Sequence, residues 1–433
     1  SIEIVFFHLS RYFMSRTLII VRLTIEYILN KIISYYINSK DFNGYPSIKI
    51  EDNDLPLLKN LIQQNLIEII SSNEVNNPFI KAMNLNISQA TQIKNLYNHD
   101  LLYCIYPTKK ALVNIHPINK GKYSIMLEKG EEQFKIIFFK TEVLDFYFKN
   151  PEYIIFDQGC KGTIAIKDEY YDKGYENVYI KDFGMGYIKG DPLDRVVGIM
   201  LADLYKLSNK QQGFIEYFEY KNQEDCYIHP DYLKSTILGE WLDNIWIFDA
   251  ILYEQLYINE LCEKMNIPHL FKKSFNPETD DYPENYRTLI EPTSNNYYEF
   301  ISEIEKMFVH SLSYDFFKEN GFLIKSVERK NIDGTLKGSL QMFEEWLEIN
   351  VKEDENVINT VIKPLKNIRR IRQIPAHQLI KNDKDKKYFE DQHQIIVDLY
   401  KAIKYLRLFF NKHPLCADFI VPNFLDESPI IFY

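Results

Sequence analysis

The residue types best suited to chemistry lie close together near the C-terminus of the 433-residue chain. Arg369, Arg370 and Arg372 lie just before His377. An imidazole titrates near neutral pH and can move a proton, while a guanidinium group can hold a phosphate through paired hydrogen bonds. Together these groups favour acid–base chemistry on a phosphate ester, because the cation offsets the charge that develops on the phosphate oxygens.

A helix over residues 357–378 is predicted to carry these groups. Its apolar residues recur at helical spacing and form a stripe that would face a helical bundle. The stripe consists of Ile358, Val361, Ile362, Leu365 and Ile368. On a regular helix Lys363, Lys366 and Arg370 share another face with His377. The alternative interpretation is a solvated helix face, since cations are favoured near a helix C-terminus in any case.

Pro375 is predicted to kink or end this helix, because proline lacks a backbone N–H donor and restricts the residue before it. The position of the break decides which arginine would act with His377. Regular helix geometry favours Arg370, seven residues away, whereas a kink favours Arg372. The sequence leaves both arginines as candidates.

The segment 372–377, RQIPAH, resembles the R-x4–6-H motif of HEPN-domain ribonucleases, and Arg370 with His377 fits the six-residue spacing. HEPN domains are four- or five-helix up-and-down bundles with the motif on a late helix. Family members typically cleave RNA without a metal, as dimers in which two motifs form one composite site. The resemblance covers about the last third of the chain. Gln373 stands where the family often has Asn, Asp or His.

The resemblance implies a metal-independent endoribonuclease that needs no cofactor. The 2′-hydroxyl of the RNA would be the nucleophile, giving a 2′,3′-cyclic phosphate and a 5′-hydroxyl. His377 would act as the general base or acid, and Arg370 or Arg372 would hold the scissile phosphate. Four further residues of the helix would bind the RNA: Lys363, Lys366, Arg369 and Gln373.

The same resemblance implies a cytoplasmic effector of anti-phage defence, of the abortive-infection or toxin type. Its partners would be the RNA substrate, a second copy of the chain in a homodimer, and a regulatory or antitoxin protein. Two other interpretations stay open. One is a catalytically inactive HEPN-like module that dimerises and binds RNA or protein. The other is a structural helical domain whose arginines pair with the abundant acidic residues.

Three further groups of residues were considered for chemistry. Arg407 and His413 match the same motif spacing, but their position at a helix end before a proline predicts a cap or the end of a bundle. Cys226, His229 and Cys262 have no second ligand pair, so a zinc site is not predicted. Three carboxylates are predicted to form the solvated polar face of one long helix: Glu240, Asp243 and Asp249.

Composition limits the class of protein. The net charge of −10 argues against a surface coated with cations for non-specific nucleic-acid binding. The five cysteines are scattered and form no CxxC, which predicts neither a disulfide framework nor a zinc module and fits a reducing cytosol. Charged residues interrupt the apolar N-terminus, which therefore predicts an amphipathic helix and no membrane span. Met14 is a candidate for the native start.

The predicted fold class is α+β, with an N-terminal mixed α/β region, a mostly helical part and a HEPN-like four-helix bundle at the end. The predicted domains are a sensing or regulatory domain (1–190), a helical middle region (191–292) and the bundle (293–433). Strands are predicted at 101–107, 123–130, 134–140, 162–168 and 177–189. Helices are predicted at 191–208 and 239–266, and a turn at 184–186.

Overall fold

The computed structural model describes residues 24–39, 42–113, 120–171, 179–279, 281–283, 285–318, 325–351, 355–377 and 381–432, without the side chains of Ala376 and His377. The first part of the predicted N-terminal helix therefore lies outside the described residues. The chain has a mixed α/β fold with two compact units. Unit 1 comprises residues 1–143, 168–183 and 197–224, and unit 2 comprises residues 144–167, 184–196 and 225–433.

The helices are, in chain order, α1 (24–38), α2 (Leu55–Gln63), α3 (Gln89–Leu96), α4 (Lys109–Leu112), α5 (Lys122–Glu128), α6 (Asp145–Lys149), α7 (Asp168–Tyr171), α8 (Leu201–Leu204), α9 (Asn209–Glu216), α10 (Pro230–Tyr232), α11 (Ile247–Lys264), α12 (Ser294–Glu305), α13 (Ser339–Asn350), α14 (Glu355–His377), α15 (Lys387–Asn411) and α16 (Asn423–Glu427). A π-helical turn, Lys306–His310, extends α12. Within the described part of the chain, none of these helices has both the length and the apolar character that crossing a membrane requires.

The strands are β1 (Tyr45–Pro46), β2 (Ile67–Ser71), β3 (Tyr103–Pro107), β4 (Ile136–Lys140), β5 (Tyr153–Asp157), β6 (Lys161–Ile166), β7 (Asp182–Ile188), β8 (Asp191–Met200), β9 (Cys226–Ile228), β10 (Ile245–Trp246) and β11 (Ile430–Ile431). β7 and β8 contribute residues to both units.

Unit 1 is built around a small antiparallel sheet with the strand order β1-β3-β2. Ile69 of β2 lies opposite Ile105 of β3, and both are fully buried. Helix α2 has a proline in its first turn, which suits a position whose N–H has no helical partner. Its buried Leu58 and Leu61 pack against the same sheet core.

Unit 2 contains one large hydrophobic core to which α11, α12, α13, α14 and α15 all contribute. Phe248, Ile301, Trp346, Leu365 and Leu399 of these five helices are at most 1% exposed. α14 packs against α12, α13 and α15, and α11 packs against α15. The four helices expected after residue 293 are present, and α11 shares their core. The domain bounds at 190 and 292 stay a prediction.

The sheet part of unit 2 pairs β5 with β6 in antiparallel register, followed by β7, and β9 pairs with the end of β7. The helix expected at 191–208 is wrong, because β8 occupies Asp191–Met200. Gly190 closes the turn from β7 with a φ of 98°, a value that glycine adopts without strain. The β-branched Val196 and Val197 are then buried along the strand, as their side chains favour.

Three other local predictions are wrong. The strand expected at 123–130 is helix α5, whose buried Tyr123 and Leu127 lie four residues apart, as on one helix face. The turn expected at 184–186 lies within β7. The helix expected from residue 239 begins only at Ile247.

Candidate nucleic-acid interface on helix α14

Helix α14 carries the predicted site and is held in place by its apolar face. The predicted inner stripe is confirmed, because its members are buried or partly buried in the core of unit 2. Its buried members are Val361, Ile362, Leu365 and Ile368, which are at most 3% exposed, and Ile358 is partly buried. Ile371, which was not part of the predicted stripe, is buried as well. Ile374, in the last turn, also packs against this core. The opposite face of the helix is thereby directed away from the core.

The helix does not end at Pro375, because α14 runs through both Pro364 and Pro375 to His377, and the kink at Pro375 stays a prediction. Pro375 lies in the last turn, so its missing N–H removes only one bond near the helix end, and the packed Ile371 and Ile374 hold that turn against the core. On a continuous helix, seven residues return to within about 20° of the same face, whereas five residues fall about 140° away. The backbone positions of Arg370 and His377 therefore share a face.

The outer face of α14 is cationic, as predicted. Lys363, Lys366, Arg370, Arg372 and Gln373 are exposed, and Arg369 is partly buried. Lys366 Nζ pairs with Glu344 Oε1 of α13 at 2.5 Å. The Nη2 of Arg370 donates a hydrogen bond to Asn367 Oδ1 at 2.9 Å. Arg370 is thus held by a hydrogen bond within its own helix, and its side chain is exposed at the surface. The side chain of His377 lies outside the described residues.

A cluster of tyrosines lies beside the end of α14. Tyr297 of α12 is 4% exposed, and its ring centroid lies 5.4 Å from that of Tyr298 and 5.1 Å from that of Tyr388. Tyr298 and Tyr388 are partly exposed. The hydroxyl of Tyr388 donates to Asp383 Oδ1 at 2.9 Å, which fixes the orientation of that ring.

Helix α14, which carries Arg370, packs against helix α12, which carries Tyr297. Burial raises the pKa of Tyr297, with further contributions from Asp391 and the neighbouring tyrosines, and the charge of Arg370 opposes that rise. Burial and the hydrogen bond to Asp383 raise the pKa of Tyr388 to about 12. Both phenols are therefore neutral at physiological pH. They can contribute ring faces and hydroxyl donors, but they do not act as bases.

This tyrosine cluster was not predicted from the sequence. Tyr298 and Tyr388 are separated by 90 positions in the chain. The contact depends on how α12 and α15 pack around α14, which helical periodicity alone does not reveal.

The second match to the motif spacing is structural. Arg407 is fully buried near the end of α15 and forms ion pairs with Glu254 and Asp426, so it is not itself a cap. The reason is that α15 turns this residue toward α11 and the core. His413 does act as a cap, because its Nδ1 accepts a hydrogen bond from the Leu415 backbone N–H at 3.3 Å.

A second polar cluster in unit 2 surrounds Asp157 and Asp249. The backbone N–H groups of Gly159 and Thr288 donate to the two carboxylate oxygens of Asp157, at 2.8 and 2.9 Å. Burial raises the pKa of Asp157 to about 6 despite these bonds and the charge of Arg195.

The prediction that Asp249 belongs to a solvated face with Glu240 and Asp243 is wrong. α11 begins at Ile247, so Glu240 and Asp243 are not on it. Asp249 is partly buried and accepts a hydrogen bond from the hydroxyl of Tyr282 at 3.1 Å. Burial, with a smaller contribution from Asp157, raises its pKa to about 7.

No group of three or more His, Cys, Asp or Glu side chains is arranged to hold a metal ion among the residues that the structure describes. His229, one of the potential ligands considered above, accepts a hydrogen bond at Nδ1 from the Asp231 backbone N–H at 3.1 Å. Cys226 and Cys262 are buried.

Comparison of the chain with protein-family models, with curated proteins and with solved structures finds no match.

Proposed function

We propose that this protein is a metal-independent endoribonuclease of the HEPN type, with its active site at the C-terminal end of α14. One observation carries the proposal. α14 is a continuous helix with an apolar face buried among α12, α13 and α15 and a cationic face exposed. That cationic face leads to the position of His377. This is the arrangement that the motif requires of a late helix in a bundle.

The roles of the residues follow from their chemistry. His377 accepts the proton of the RNA 2′-hydroxyl, and the resulting oxygen attacks the adjacent phosphorus atom. The bond from phosphorus to the 5′-oxygen breaks, and a proton passes to that oxygen. The products are a 2′,3′-cyclic phosphate and a 5′-hydroxyl. Because the nucleophile belongs to the RNA, the reaction needs no metal-bound water.

Arg370 is the preferred phosphate-binding residue, and Arg372 is the second candidate. The continuous backbone of α14 puts position 370 on the face of position 377. A guanidinium group there offsets charge on the non-bridging oxygens as the 2′-oxygen attacks. Lys363, Arg369 and Gln373 extend the contact along the RNA backbone, and Lys366 adds a cation that is already paired with Glu344.

Two copies of the chain are proposed to form the working enzyme, with their α14 ends facing each other in one composite site. The family resemblance also supports a defence or toxin role, a cytoplasmic location and control by a regulatory or antitoxin protein. Each of these is a proposal that rests on the resemblance.

Cleavage of a labelled RNA by purified protein in excess EDTA tests the proposal. We expect cutting by the wild type and no cutting by His377→Ala with an unchanged melting temperature. A protein that binds RNA but never cuts it would identify the inactive HEPN-like module instead. Loss of stability without any effect on RNA binding in Arg372→Ala and His377→Ala would identify the structural interpretation.

A further inference from the structure

We propose that this protein associates head to tail, through contact between a hairpin of one copy and an acidic patch of the next copy. The hairpin comprises residues 329–337 and the acidic patch comprises residues 231–243, and both belong to unit 2. Because the two surfaces differ, the contact is distinct from the two-fold dimer of α14 ends proposed above. It does not depend on the RNA-cleaving function.

The hairpin is ordered by its own hydrogen bonds. The N–H of Asn331 donates to the carbonyl of Thr335 at 2.8 Å. The N–H of Lys337 donates to the carbonyl of Arg329 at 2.9 Å. At the turn, the carboxylate of Asp333 accepts from the backbone N–H and the hydroxyl of Thr335, at 3.0 and 2.6 Å. A segment that is already ordered loses little conformational freedom on binding, which favours a contact here.

One face of the hairpin is bound to α13, and the other face is open to solvent. The Oδ1 of Asn331 accepts a hydrogen bond from Nε2 of Gln341 in α13 at 3.0 Å. Lys330 and Leu336 pair across the hairpin, and they lie on the side away from α13 because successive residues point to opposite faces. Leu336 is 63% exposed, and Ile332 at the turn is 110% exposed. The hairpin therefore presents two apolar side chains that the described part of unit 2 leaves uncovered.

Cations surround the base of the hairpin. Lys330 is exposed, and the guanidinium group of Arg329 lies over the ring of Tyr314, 4.6 Å from its centroid. The Nζ of Lys272 lies 5.8 Å from the same centroid, and Lys273 beside it is also exposed. The exposed acidic residues of these segments are Glu328, Asp333 and Asp315, and the last is paired with Lys318. The excess of cations makes an acidic surface the complementary partner.

The acidic patch also exposes apolar side chains. Leu233 and Leu238 begin and end a π-helical turn after α10, and they are 40% and 49% exposed. Trp241 follows and is 96% exposed, whereas Trp246 and Trp346, the other two tryptophans of the chain, are at most 6% exposed. Exposed tryptophan beside other apolar side chains is typical of a protein–protein contact.

The charge of the patch is opposite to that of the hairpin. Residues 231–243 contain three carboxylates and one cation: Asp231, Glu240, Asp243 and Lys234. Glu240 and Asp243 are exposed and form no ion pair with another residue that the structure describes. The backbone N–H of Glu240 donates to the carbonyl of Lys234 at 3.0 Å, which holds the segment of Trp241 against the π-helical turn.

The hairpin and the acidic patch complement each other, and neither complements itself. Two hairpins or two patches would bring like charges together, whereas a hairpin on a patch joins opposite charges around apolar side chains. RNA suits the hairpin less well, because its aliphatic tip offers no ring for a base to stack on. An anionic membrane also suits it less well, because the carboxylate of Asp333 lies beside Ile332 at the tip. A contact between two different surfaces leaves one of each free, so it can extend into a ring or a filament.

The test uses two full-length variants that each keep one of the two surfaces. Ile332→Ser with Leu336→Ser removes the apolar tip of the hairpin, and Trp241→Ser removes the centre of the patch. The hairpin variant is labelled with fluorescein and titrated with unlabelled Trp241→Ser while fluorescence anisotropy is measured. We expect binding with a dissociation constant of about 10 μM, as for a small contact. A protein with all three substitutions should bind the labelled variant at least tenfold more weakly, because the apolar side chains are no longer buried.

Matched controls separate this contact from folding, from charge and from the α14 dimer. Any contact through α14 contributes equally to both titrations, so the difference between them reports the hairpin and the patch. All three replaced side chains are exposed, so the melting temperatures should agree. Lys330→Glu added to the Trp241→Ser protein should weaken binding by about threefold, since it removes one exposed cation. Ile420→Ser, at an exposed isoleucine elsewhere in unit 2, should have no effect when added to the same protein.

Three results would overturn the head-to-tail contact. In the first, Trp241→Ser binds the labelled hairpin variant no better than the protein with all three substitutions. In the second, Trp241→Ser associates with itself as tightly as the wild type does, which would show that the patch is not the partner of the hairpin. In the third, Ile420→Ser weakens binding as much as the loss of the hairpin tip. None of these results bears on cleavage, which His377→Ala tests separately.

Discussion

Arg407 and Glu254 form a fully buried ion pair between α15 and α11. The Nε of Arg407 lies 2.7 Å from Oε2 of Glu254, and its Nη2 lies 3.2 Å from Oε1. Both side chains are 0% exposed, and Asp426 contacts the other side of the guanidinium group. The guanidinium group of Arg407 is thus paired inside unit 2 and is not available to bind RNA at the surface. An arginine and a histidine can therefore have the spacing of the motif although the arginine is buried in the core.

Breaking this pair should destabilise the protein strongly. Glu254→Ala leaves a buried guanidinium group without its main partner, which costs about 3–5 kcal/mol of unfolding free energy. Urea denaturation followed by circular dichroism measures the loss. Lys264→Ala is the matched control, because it removes an exposed ion pair with Asp418 and should cost less than about 1 kcal/mol. Equal effects for the two variants would contradict the assignment.

Stability should fall as pH rises through the range from about 4 to 7. Burial raises the pKa of Asp157 to about 6 and of Asp249 to about 7, so the unfolded chain loses these protons first. The free-energy cost of burying these two carboxylates in their charged form is absent below their pKa in the unfolded chain. It is complete above their pKa in the folded protein. The loss of unfolding free energy between pH 5 and pH 8 should therefore be smaller in Asp249→Asn than in the wild type, by about 1 kcal/mol or more. Identical pH profiles for the variant and the wild type would refute this.

Replacing Pro364 should stabilise the protein. α14 continues through this residue, where the proline ring and the missing N–H disturb the helix. Pro364→Ala restores the backbone N–H donor, which stabilises the helix, but it also gives the unfolded chain more conformational freedom. We expect the unfolding free energy to rise by about 1 kcal/mol as the net result. Pro375→Ala, in the last turn, should give a smaller gain. A lower melting temperature for Pro364→Ala would show that the proline is required where it lies.

The two candidate arginines should differ in their effect on cleavage. Arg370→Ala is expected to lower the cleavage rate by about a hundredfold, the scale found for loss of one charge-stabilising donor. Arg372→Ala, on another side of the helix, should have the smaller effect. Both side chains are exposed, so the melting temperature should not change in either variant. A larger loss in Arg372→Ala would reverse the assignment.

Much of α14 could be predicted from the sequence, because its periodicity is strong. The predicted bounds of 357–378 differ from Glu355–His377 by at most two residues, and its apolar stripe is the buried one. An end of the helix at Pro375 does not occur, since packing of Ile371 and Ile374 against the core stabilises the last turn despite the proline.

Other parts depend on contacts between distant segments. Residues 191–208 contain helix-like spacing, yet the hairpin turn at Gly190 and the pairing with β7 make most of that stretch a strand. The partners of Arg407 lie 153 residues before it and 19 after it. The tyrosine cluster is also formed across α12 and α15. Local sequence patterns do not indicate which distant segments come into contact.

The most direct measurement is the chemistry of the RNA ends that the wild type and His377→Ala produce in excess EDTA. Cleavage by the wild type should leave a 2′,3′-cyclic phosphate and a 5′-hydroxyl, and His377→Ala should leave the RNA intact while melting at the same temperature. Undiminished cleavage by His377→Ala, or cleavage that stops when metal is removed, would contradict the proposed active site on α14.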